Sequence, residues 1–352
     1  MDNQESLELL ERLISTPRCS REEKAAADIL QQDIVSHGYK PERIGDNILC
    51  RSRWYDGSRP AILLNSHIDT VRPTASWTRD PYRPVIENGC LYGIGSNDAG
   101  ASLVSLLQAF YQIDSRQNSL NLLFLATCQE EVSGEGGMKQ MAPLLPEISF
   151  ALVGEPTGMQ PAIAEKGLMV LDVNVHGRSG HAARDEGINA IYRAVDVVSM
   201  LRDYRFERES ALLGPVRMTV TVMHSGTQHN VIPDLCTMTV DVRSNECYSN
   251  REIFGIIRSM LPEWCDVHAH SFTLNSSGIS PEHPIIRRAA AMGLTPFGSP
   301  TLSDQAILNC PSFKMGPGDS ARSHTADEYI RLKELADAVP AYIALLNQGT
   351  GA

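Results

Sequence analysis

The chain of 352 residues is long for a single hydrophobic core, so we expect two domains. Hydrophobic residues make up 42% and charged residues 21%, which is an ordinary globular composition. The formal net charge of −11 disfavours nucleic acid as a partner, because its binding requires Lys and Arg to neutralise phosphates. No apolar run approaches the ~20 residues of a membrane helix, so no membrane association is expected.

The cysteines and the N-terminus both favour a cytoplasmic protein. Eight scattered cysteines without a C-x-x-C pair fit neither a zinc ribbon nor a compact disulfide framework. We interpret most of them as small buried side chains in a reducing compartment. The N-terminal stretch MDNQESLELLERL is acidic and amphipathic, unlike a signal peptide.

The first part of the chain alternates predicted helices and strands. The segment SREEKAAADILQQDIVSHG predicts a helix with a capping box from Ser20 to Glu23 and a stop at Gly38. A second, apolar-rich helix is predicted to begin near Gly100. Short apolar runs predict buried strands at residues 61–67, 121–127 and 150–154. This alternation indicates an α/β layered domain.

From about residue 167 the pattern changes to alternating strands with two helices between them. Their order, β-α-β-β-α-β, is that of a ferredoxin-like unit. Because more of the α/β pattern follows it, an insertion is the economical interpretation. We therefore predict a discontinuous domain of residues 1–166 and 276–352, with an inserted domain of residues 167–275.

The stretch LLNSHIDTV ends an apolar run with a histidine and an aspartate. Two residues apart on an extended chain, His67 and Asp69 point to the same face. Taken alone, the pair is explained equally well by a buried histidine with satisfied hydrogen bonds and an aspartate that caps a turn.

Further acidic residues and a second histidine lie near the ends of predicted strands and helices. They are Asp98 in GSNDAGA, Glu130 and Glu131 in TCQEEVSGEGG, Glu155 in VGEPT and His324 in RSHTADE. Loops at the carboxyl ends of strands in an open α/β sheet converge on one crevice. Histidines and carboxylates that meet there form a nitrogen and oxygen site suited to zinc, manganese or cobalt.

Each of these residues also has a plainer explanation. Asp98 would serve as a helix N-cap, the adjacent glutamates would lie on a solvated helix face, Glu155 would be a turn residue and His324 would lie in an exposed loop. Their joint occurrence favours the metal site. Unpaired carboxylates directly after an apolar strand are costly to bury, and a metal ion removes that cost.

On these five motifs the sequence resembles the dinuclear-zinc amidohydrolases. That family includes acetylornithine deacetylase, succinyl-diaminopimelate desuccinylase, aminoacylases and glutamate carboxypeptidases. The resemblance covers nearly the whole chain. It implies a zinc-aminopeptidase-like α/β catalytic domain and an inserted ferredoxin-like domain for dimerisation or as a lid. It also implies two Zn²⁺ ions, for which Co²⁺ can substitute, and a homodimer formed through the inserted domain.

The resemblance further implies roles for the site residues. The expected ligands are His67 and Glu155 for one zinc, Glu131 and His324 for the other, and Asp98 for both. Asp69 is expected to orient His67, and Glu130 to act as general acid and base. Many relatives carry Lys or Met after the bridging aspartate, whereas Ala99 stands here.

The inserted domain carries matches of its own. His181 in HGRSGHAAR matches a histidine that stabilises the tetrahedral oxyanion, usually in the active site of the partner subunit. Asn230 in HNVIP and Arg243 in DVRS match positions that contact the substrate. Arg243 is suited to binding an α-carboxylate bidentately. The alternative for Arg243 is a solubilising charge at a strand edge.

The substrate is indicated less directly. GPGDSARSHTADEYI and GSPTLSDQA look most like N-acylornithine deacetylases. Desuccinylases typically carry paired arginines where Glu165 and Lys166 precede Gly167 here. Glu165 would favour a cationic side chain such as that of ornithine, and the alternative is a surface pair. A succinyl tail would require a cation, and the candidates are Lys166, Arg178, Lys314 and Arg322.

The leading hypothesis is metal-dependent hydrolysis of an N-acetyl- or N-succinyl-L-ornithine in arginine biosynthesis. Succinyl-diaminopimelate desuccinylase and a di- or tripeptidase are the alternatives within the same family. A non-catalytic metal or amino-acid binder is a further alternative, against which Glu130 speaks. Dinucleotide binding is disfavoured, because Asp98 replaces the third glycine of the required motif in YGIGSNDAG.

Overall fold

The computed structural model describes residues 3–114, 121–184 and 186–347, and these form two compact units. The first unit contains the described residues up to Ile163, Gly278–Phe297 and those from Ser303 onwards. The second contains Ala164–Ser277 and Gly298–Leu302. Among the described residues, no helix combines the length and the apolar character that crossing a bilayer requires.

The helices and strands follow one another along both units. The helices are α1 (Asn3–Ile14), α2 (Lys24–Ser36), α3 (Ala101–Asp114), α4 (Met138–Met141), α5 (Ala190–Asp203), α6 (Asn250–Met260), α7 (Pro284–Ala291) and α8 (Leu332–Leu346). The strands are β1 (Glu42–Ile44), β2 (Asn47–Arg51), β3 (Ala61–His67), β4 (Val85–Glu87), β5 (Cys90–Tyr92), β6 (Leu122–Thr127), β7 (Ile148–Val153), β8 (Ala162–Glu165), β9 (Met169–His176), β10 (Gly180–His181), β11 (Arg217–Ser225), β12 (Val231–Ile232), β13 (Leu235–Arg243), β14 (Cys265–Ala269), β15 (Ser277–Gly278), β16 (Phe297–Ser299), β17 (Ser312–Lys314) and β18 (Tyr329–Arg331).

A mixed sheet forms the centre of the first unit. Its strand order is β1-β2-β6-β3-β7-β17-β8-β15, with β16 beside β8, and the chain passes between the units within β8, β15 and β16. The inner strands β6, β3, β7 and β17 are parallel. In β6 Phe124 packs into one apolar layer, while Leu123 and Leu125 pack into the other. Both faces are therefore covered, which explains the continuous apolar runs.

Because the inner strands are parallel, their carboxyl ends lie at one edge of the sheet. At that edge β3 ends at His67, β6 at Thr127 and β7 at Val153. The loops that follow therefore meet beyond it, as expected for an open α/β sheet.

The start of helix α2 differs from its prediction. The expected capping box is wrong, because Glu23 at the N-cap makes no side-chain cap hydrogen bond. Ser20 Oγ donates instead to Asp69, and the Glu23 carboxylate accepts from the Gln129 amide. Contacts with distant loops have thus replaced the local cap. The predicted stop is confirmed, since Gly38 follows the helix with φ +81°.

The second unit confirms the predicted ferredoxin-like order. Strands β11-β13-β9-β14 form an antiparallel sheet, and α5 and α6 contribute side chains to the same core. Along β9 Leu171 and Val173 are buried, while the alternating residues Asp172 and Asn174 are partly exposed. This strand therefore turns one apolar face to the core and leaves the other face partly exposed.

We expect Phe124→Ala to lower the free energy of unfolding of the first unit by about 3–5 kcal/mol, because it leaves a cavity in a packed core. Phe124 is fully buried and its ring lies 6.1 Å from that of Phe110. Urea denaturation followed by circular dichroism measures the change. Leu144→Ala, at an exposed position, is the control. A loss below about 1 kcal/mol for Phe124→Ala would contradict the packing described here.

Candidate metal centre

The orientation of His67 is set by its own loop. Its Nδ1 lies 2.9 Å from the backbone carbonyl oxygen of Asp69, which can only accept, so Nδ1 carries the proton. In the neutral imidazole ring the lone pair available to a metal is then on Nε2. This atom lies 3.2 Å from Asp98 Oδ1 and 3.9 Å from Glu155 Oε1. The ring is therefore presented as a ligand towards two carboxylates.

Asp98 lies between the two histidines. Its Oδ1 faces His67, and its Oδ2 lies 3.6 Å from Nε2 of His324. The same Nε2 lies 2.9 Å from Oε2 of Glu131. Ligand atoms of His67, Asp98 and Glu131 all lie within 4.8 Å of one another. The structure thus brings the five predicted ligands together. Asp98 lies between the pair of His67 and Glu155 and the pair of Glu131 and His324.

The carboxylate of Asp69 contacts two backbone amides in addition to His67. Its oxygens accept hydrogen bonds from the amides of Glu130 (3.0 Å) and Glu131 (3.2 Å). Its nearer oxygen lies 3.5 Å from Nδ1 of His67. Burial acts to raise the pKa of Asp69, but hydrogen bonds from His67, Ser20 and the Glu130 amide outweigh it and lower the pKa. Asp69 therefore organises the loop of the two glutamates as well as flanking His67.

The charges of the site call for cations. Burial, and then repulsion from Asp98 and Glu131, raise the pKa of Glu155 to about 8. Burial, together with repulsion from neighbouring carboxylates, also raises the pKa of Glu130 well above its ordinary value. A hydrogen bond to Glu131 raises the pKa of His324 to about 9. Divalent cations would displace these protons, and a set of imidazole and carboxylate ligands suits zinc. The residues present therefore fit the implied metal pair.

His181 and Asn230 lie side by side in the second unit. The short strands β10 and β12 pair His181 with Val231, and the Ala182 amide donates to the carbonyl oxygen of Asn230 (3.0 Å). The Nδ1 of His181 accepts from the Ala183 amide (3.1 Å), so its proton lies on the exposed Nε2. That tautomer can donate a hydrogen bond to an oxyanion.

The remaining predicted substrate contacts already have partners in the second unit. Arg243 bonds Asp241 through Nε (2.9 Å) and Nη2 (3.1 Å). Glu165 is buried and accepts from Ser277 Oγ. Lys166 is also buried, and its Nζ donates to the carbonyl oxygen of Pro215 (2.7 Å). The alternative of a surface pair is therefore wrong, and the substrate contact of these residues stays a prediction.

Sequence reasoning assigned no role in the site to several buried charged residues of the first unit, four of which interact with residues of the site loops. These four are Arg18, Glu23, Asp304 and Glu328. Burial raises the pKa of Asp304 to about 6, and its carboxylate accepts from Thr127 Oγ1. Asp304 lies within GSPTLSDQA and Glu328 within RSHTADE. Their place in these motifs is the one feature of the sequence that connects the two residues with the site. Nothing in the pattern around Arg18 and Glu23 distinguishes them from ordinary helix-start residues.

The sequence and the fold are both similar to those of known proteins. The model of Peptidase family M20/M25/M40 matches residues 63–348. An acetylornithine deacetylase of Proteus mirabilis (strain HI4320) is 26% identical over 92% of this chain and 91% of its own. The structure of aminopeptidase PepT from Bacillus cereus ATCC 10987 aligns with a TM-score of 0.81 at 17% identity over 98% of both chains. That of a dinuclear metal-binding peptidase of the M20 family from Bacillus subtilis aligns with a TM-score of 0.76 at 15% identity, again over 98% of both.

The metal-free protein should lose stability as the pH rises from about 5 to about 9. In the folded state Glu155 titrates near 8 and His324 near 9. Both pKa values exceed the ordinary ones, so the folded chain holds more protons than the unfolded chain within this window. Thermal unfolding of chelator-treated protein measures the trend. Saturating Zn²⁺ should abolish it, because bound metal replaces those protons, and a rising midpoint without metal would contradict it.

Proposed function

The chain belongs to peptidase family M20/M25/M40, and from that membership we propose that it is a dinuclear-zinc amidohydrolase acting on an N-acyl-L-ornithine. The reaction would release ornithine and the carboxylate. The observation that carries the dinuclear centre is Asp98, whose two oxygens face two different histidines. The substrate assignment is supported by the 26% identity to an acetylornithine deacetylase over 92% of this chain.

The proposed mechanism assigns proton transfer to Glu130. When bound, two zinc ions held by the five ligands would acidify a water molecule and polarise the amide carbonyl, and Co²⁺ would substitute. Glu130 cannot point as Glu131 does, because neighbouring side chains leave the backbone in different directions. Its amide is fixed by Asp69, and its raised pKa suits a group that takes a proton and returns it to the leaving amine.

The contacts to the substrate are proposed from the resemblance. Nε2 of His181 would donate to the developing oxyanion, usually in the active site of the partner subunit, as the resemblance implies. Asn230, beside it, and Arg243 would bind the amino-acid part. For Arg243 this requires its guanidinium to exchange Asp241 for the α-carboxylate of the substrate.

The side chains that were candidates for binding a succinyl tail already have partners or are buried, and this favours a smaller acyl group. Arg322 already binds the Glu334 carboxylate through both Nη atoms, at 2.7 and 3.0 Å. Arg178 donates to the carbonyl oxygen of Glu186, and Lys166 donates to that of Pro215. Lys314 is buried. An acetyl group needs no cation, so we infer N-acetyl-L-ornithine as the preferred substrate.

The homodimer is proposed through the second unit. Helix α5 leaves Tyr192 73% exposed and Val195 54% exposed, with Ile191 and Met200 beside them. Strand β11 forms one edge of the sheet, and within the described part of the chain no strand pairs with its outer side. A second copy related by a two-fold axis would cover both features at once. In the cell we place the enzyme in the cytoplasm, supplying ornithine for arginine biosynthesis.

Release of free ornithine from N-acetyl- and N-succinyl-L-ornithine, compared side by side, tests the reaction. We expect release from the acetyl compound with Zn²⁺ or Co²⁺ and none after chelation. Release from the succinyl compound alone would overturn the acyl assignment. If neither is cleaved, the ornithine assignment is wrong, and cleavage of a di- or tripeptide under the same conditions would identify a peptidase.

Glu130→Gln should lower kcat by about 10²–10⁴-fold while two metal ions remain bound, because the amide cannot accept the proton. The control is Glu135→Gln, on the same loop, whose side chain is 88% exposed. Metal content is measured alongside the initial rate. Unchanged turnover in Glu130→Gln would remove this residue from the mechanism, and turnover absent from wild type with metal bound would favour a non-catalytic binder.

A further inference from the structure

Hydrogen bonds from backbone amides to distant carboxylates hold the loop that carries the two adjacent glutamates. Three successive amides, of Gln129, Glu130 and Glu131, each donate to a buried carboxylate. The first donates to Oε1 of Glu23 (2.9 Å), and the other two donate to Asp69 (3.0 and 3.2 Å). Gln129 itself adopts a left-handed conformation with φ +58°. Because that conformation is uncommon for a residue with a side chain, the loop depends on these external acceptors.

The loop that carries Asp98 is held in the same way by another carboxylate. Glu328 accepts the amides of Asn97 and Asp98 on Oε1, both at 2.8 Å, and that of Gly95 on Oε2, at 2.9 Å. The Glu328 side chain is almost fully buried. Both loops are thus fixed through amide hydrogen bonds to side chains outside the ligand set.

Arg18 links the Asp98 loop to the loop that follows β3. Its Nη1 donates to the carbonyl oxygen of Ile68, and its Nη2 donates to that of Gly95 (3.0 Å). Gly95 has φ +69°, and a Cβ there would lie 2.4 Å from Nη2, so the approach requires glycine. Burial lowers the pKa of Arg18 to about 10, while Glu328 and nearby aspartates act to keep it charged.

Burying these charged side chains lowers the stability of the fold. Glu23 and Arg18 are buried, and among the described residues Oε2 of Glu23 and Nε of Arg18 have no hydrogen-bond partner. A buried charge with an unsatisfied atom costs stability. Helix α2 gains no side-chain cap from Glu23 in return. The benefit must therefore lie in the loops that these side chains hold.

We propose that Arg18, Glu23 and Glu328, together called the brace, are positioning residues that fix the spacing between the Asp98 loop and the Glu130–Glu131 loop. This rests on the proposed function, because the spacing matters only if both loops serve one metal centre. Loss of a brace hydrogen bond lets the loop backbone rotate, which displaces the carboxylates that it carries. Metal affinity and turnover should fall together, with little change in substrate binding.

Glu23 offers the sharpest test, with Glu22→Ala as the matched control at the neighbouring exposed position. The measurements are Co²⁺ affinity by competition with a chelator, the absorption spectrum of the Co²⁺-loaded protein, and kcat and KM separately. Glu23→Ala should lower Co²⁺ affinity by about 10–100-fold and alter the spectrum. Glu23→Gln should recover most of both, since its amide oxygen still accepts from Gln129.

Two results would overturn the proposal. In the first, Glu23→Ala keeps the wild-type Co²⁺ affinity and spectrum, even if its thermal midpoint is lower, which would make Glu23 a stabilising residue only. In the second, Glu23→Gln is as impaired as Glu23→Ala, which would make the charge and not the hydrogen bond decisive. Wild-type behaviour is expected of Glu22→Ala.

A variant of the residue that holds the Asp98 loop covers the case in which Glu23→Ala does not fold. Glu328→Gln keeps one acceptor oxygen but turns an NH₂ group towards a loop amide, so Co²⁺ affinity should again fall. An unchanged affinity and spectrum would reject the brace. Since Co²⁺ binding is read without substrate, failure of wild type to release ornithine would overturn the substrate assignment and leave this inference standing, whereas failure of wild type to bind Co²⁺ would overturn both.

Discussion

Mutual repulsion among closely spaced, partly buried carboxylates is the constraint on which this structure depends. Asp98, Glu130, Glu131 and Glu155 surround two histidines, and without a cation some of them must hold protons, as the raised pKa values of Glu130 and Glu155 show. Such a cluster does not stabilise a fold. The cluster persists because hydrogen bonds to residues outside the ligand set fix the loops that carry it. A bound divalent ion would then offset the repulsion between the carboxylates.

The sheet provides the first part of that fixation. Parallel strands deliver His67 and the loops after β6 and β7 to one edge, and packing on both faces leaves those strands little freedom. The second part comes from carboxylates that bind amides, so that one acidic side chain holds the backbone on which another is carried. Asp69 takes part in both, since it follows β3 and also accepts the amides of Glu130 and Glu131.

Much of this could be predicted from local pattern. The apolar runs at 61–67 and 121–127 became strands β3 and β6, and the spacing of His67 and Asp69 placed both at the crevice. The predictions failed for residues whose hydrogen-bond partners lie far away in the sequence. Ser20 and Glu23 fit a capping box by spacing, yet their hydrogen-bond partners are Asp69 and the Gln129 amide. Local preference carries no information about such contacts, which tertiary packing decides.

The discontinuity of the first unit has a consequence for biosynthesis on the ribosome. His324 and Glu328 lie in the segment that returns after the second unit, whereas the other ligands precede Ile163. A nascent chain that has just emerged past Glu155 already holds the mutually repelling acids, but it lacks one imidazole and the acceptor for the Asp98 loop. Assembly of the centre must therefore wait until the whole second unit has been translated, and premature termination products cannot complete it.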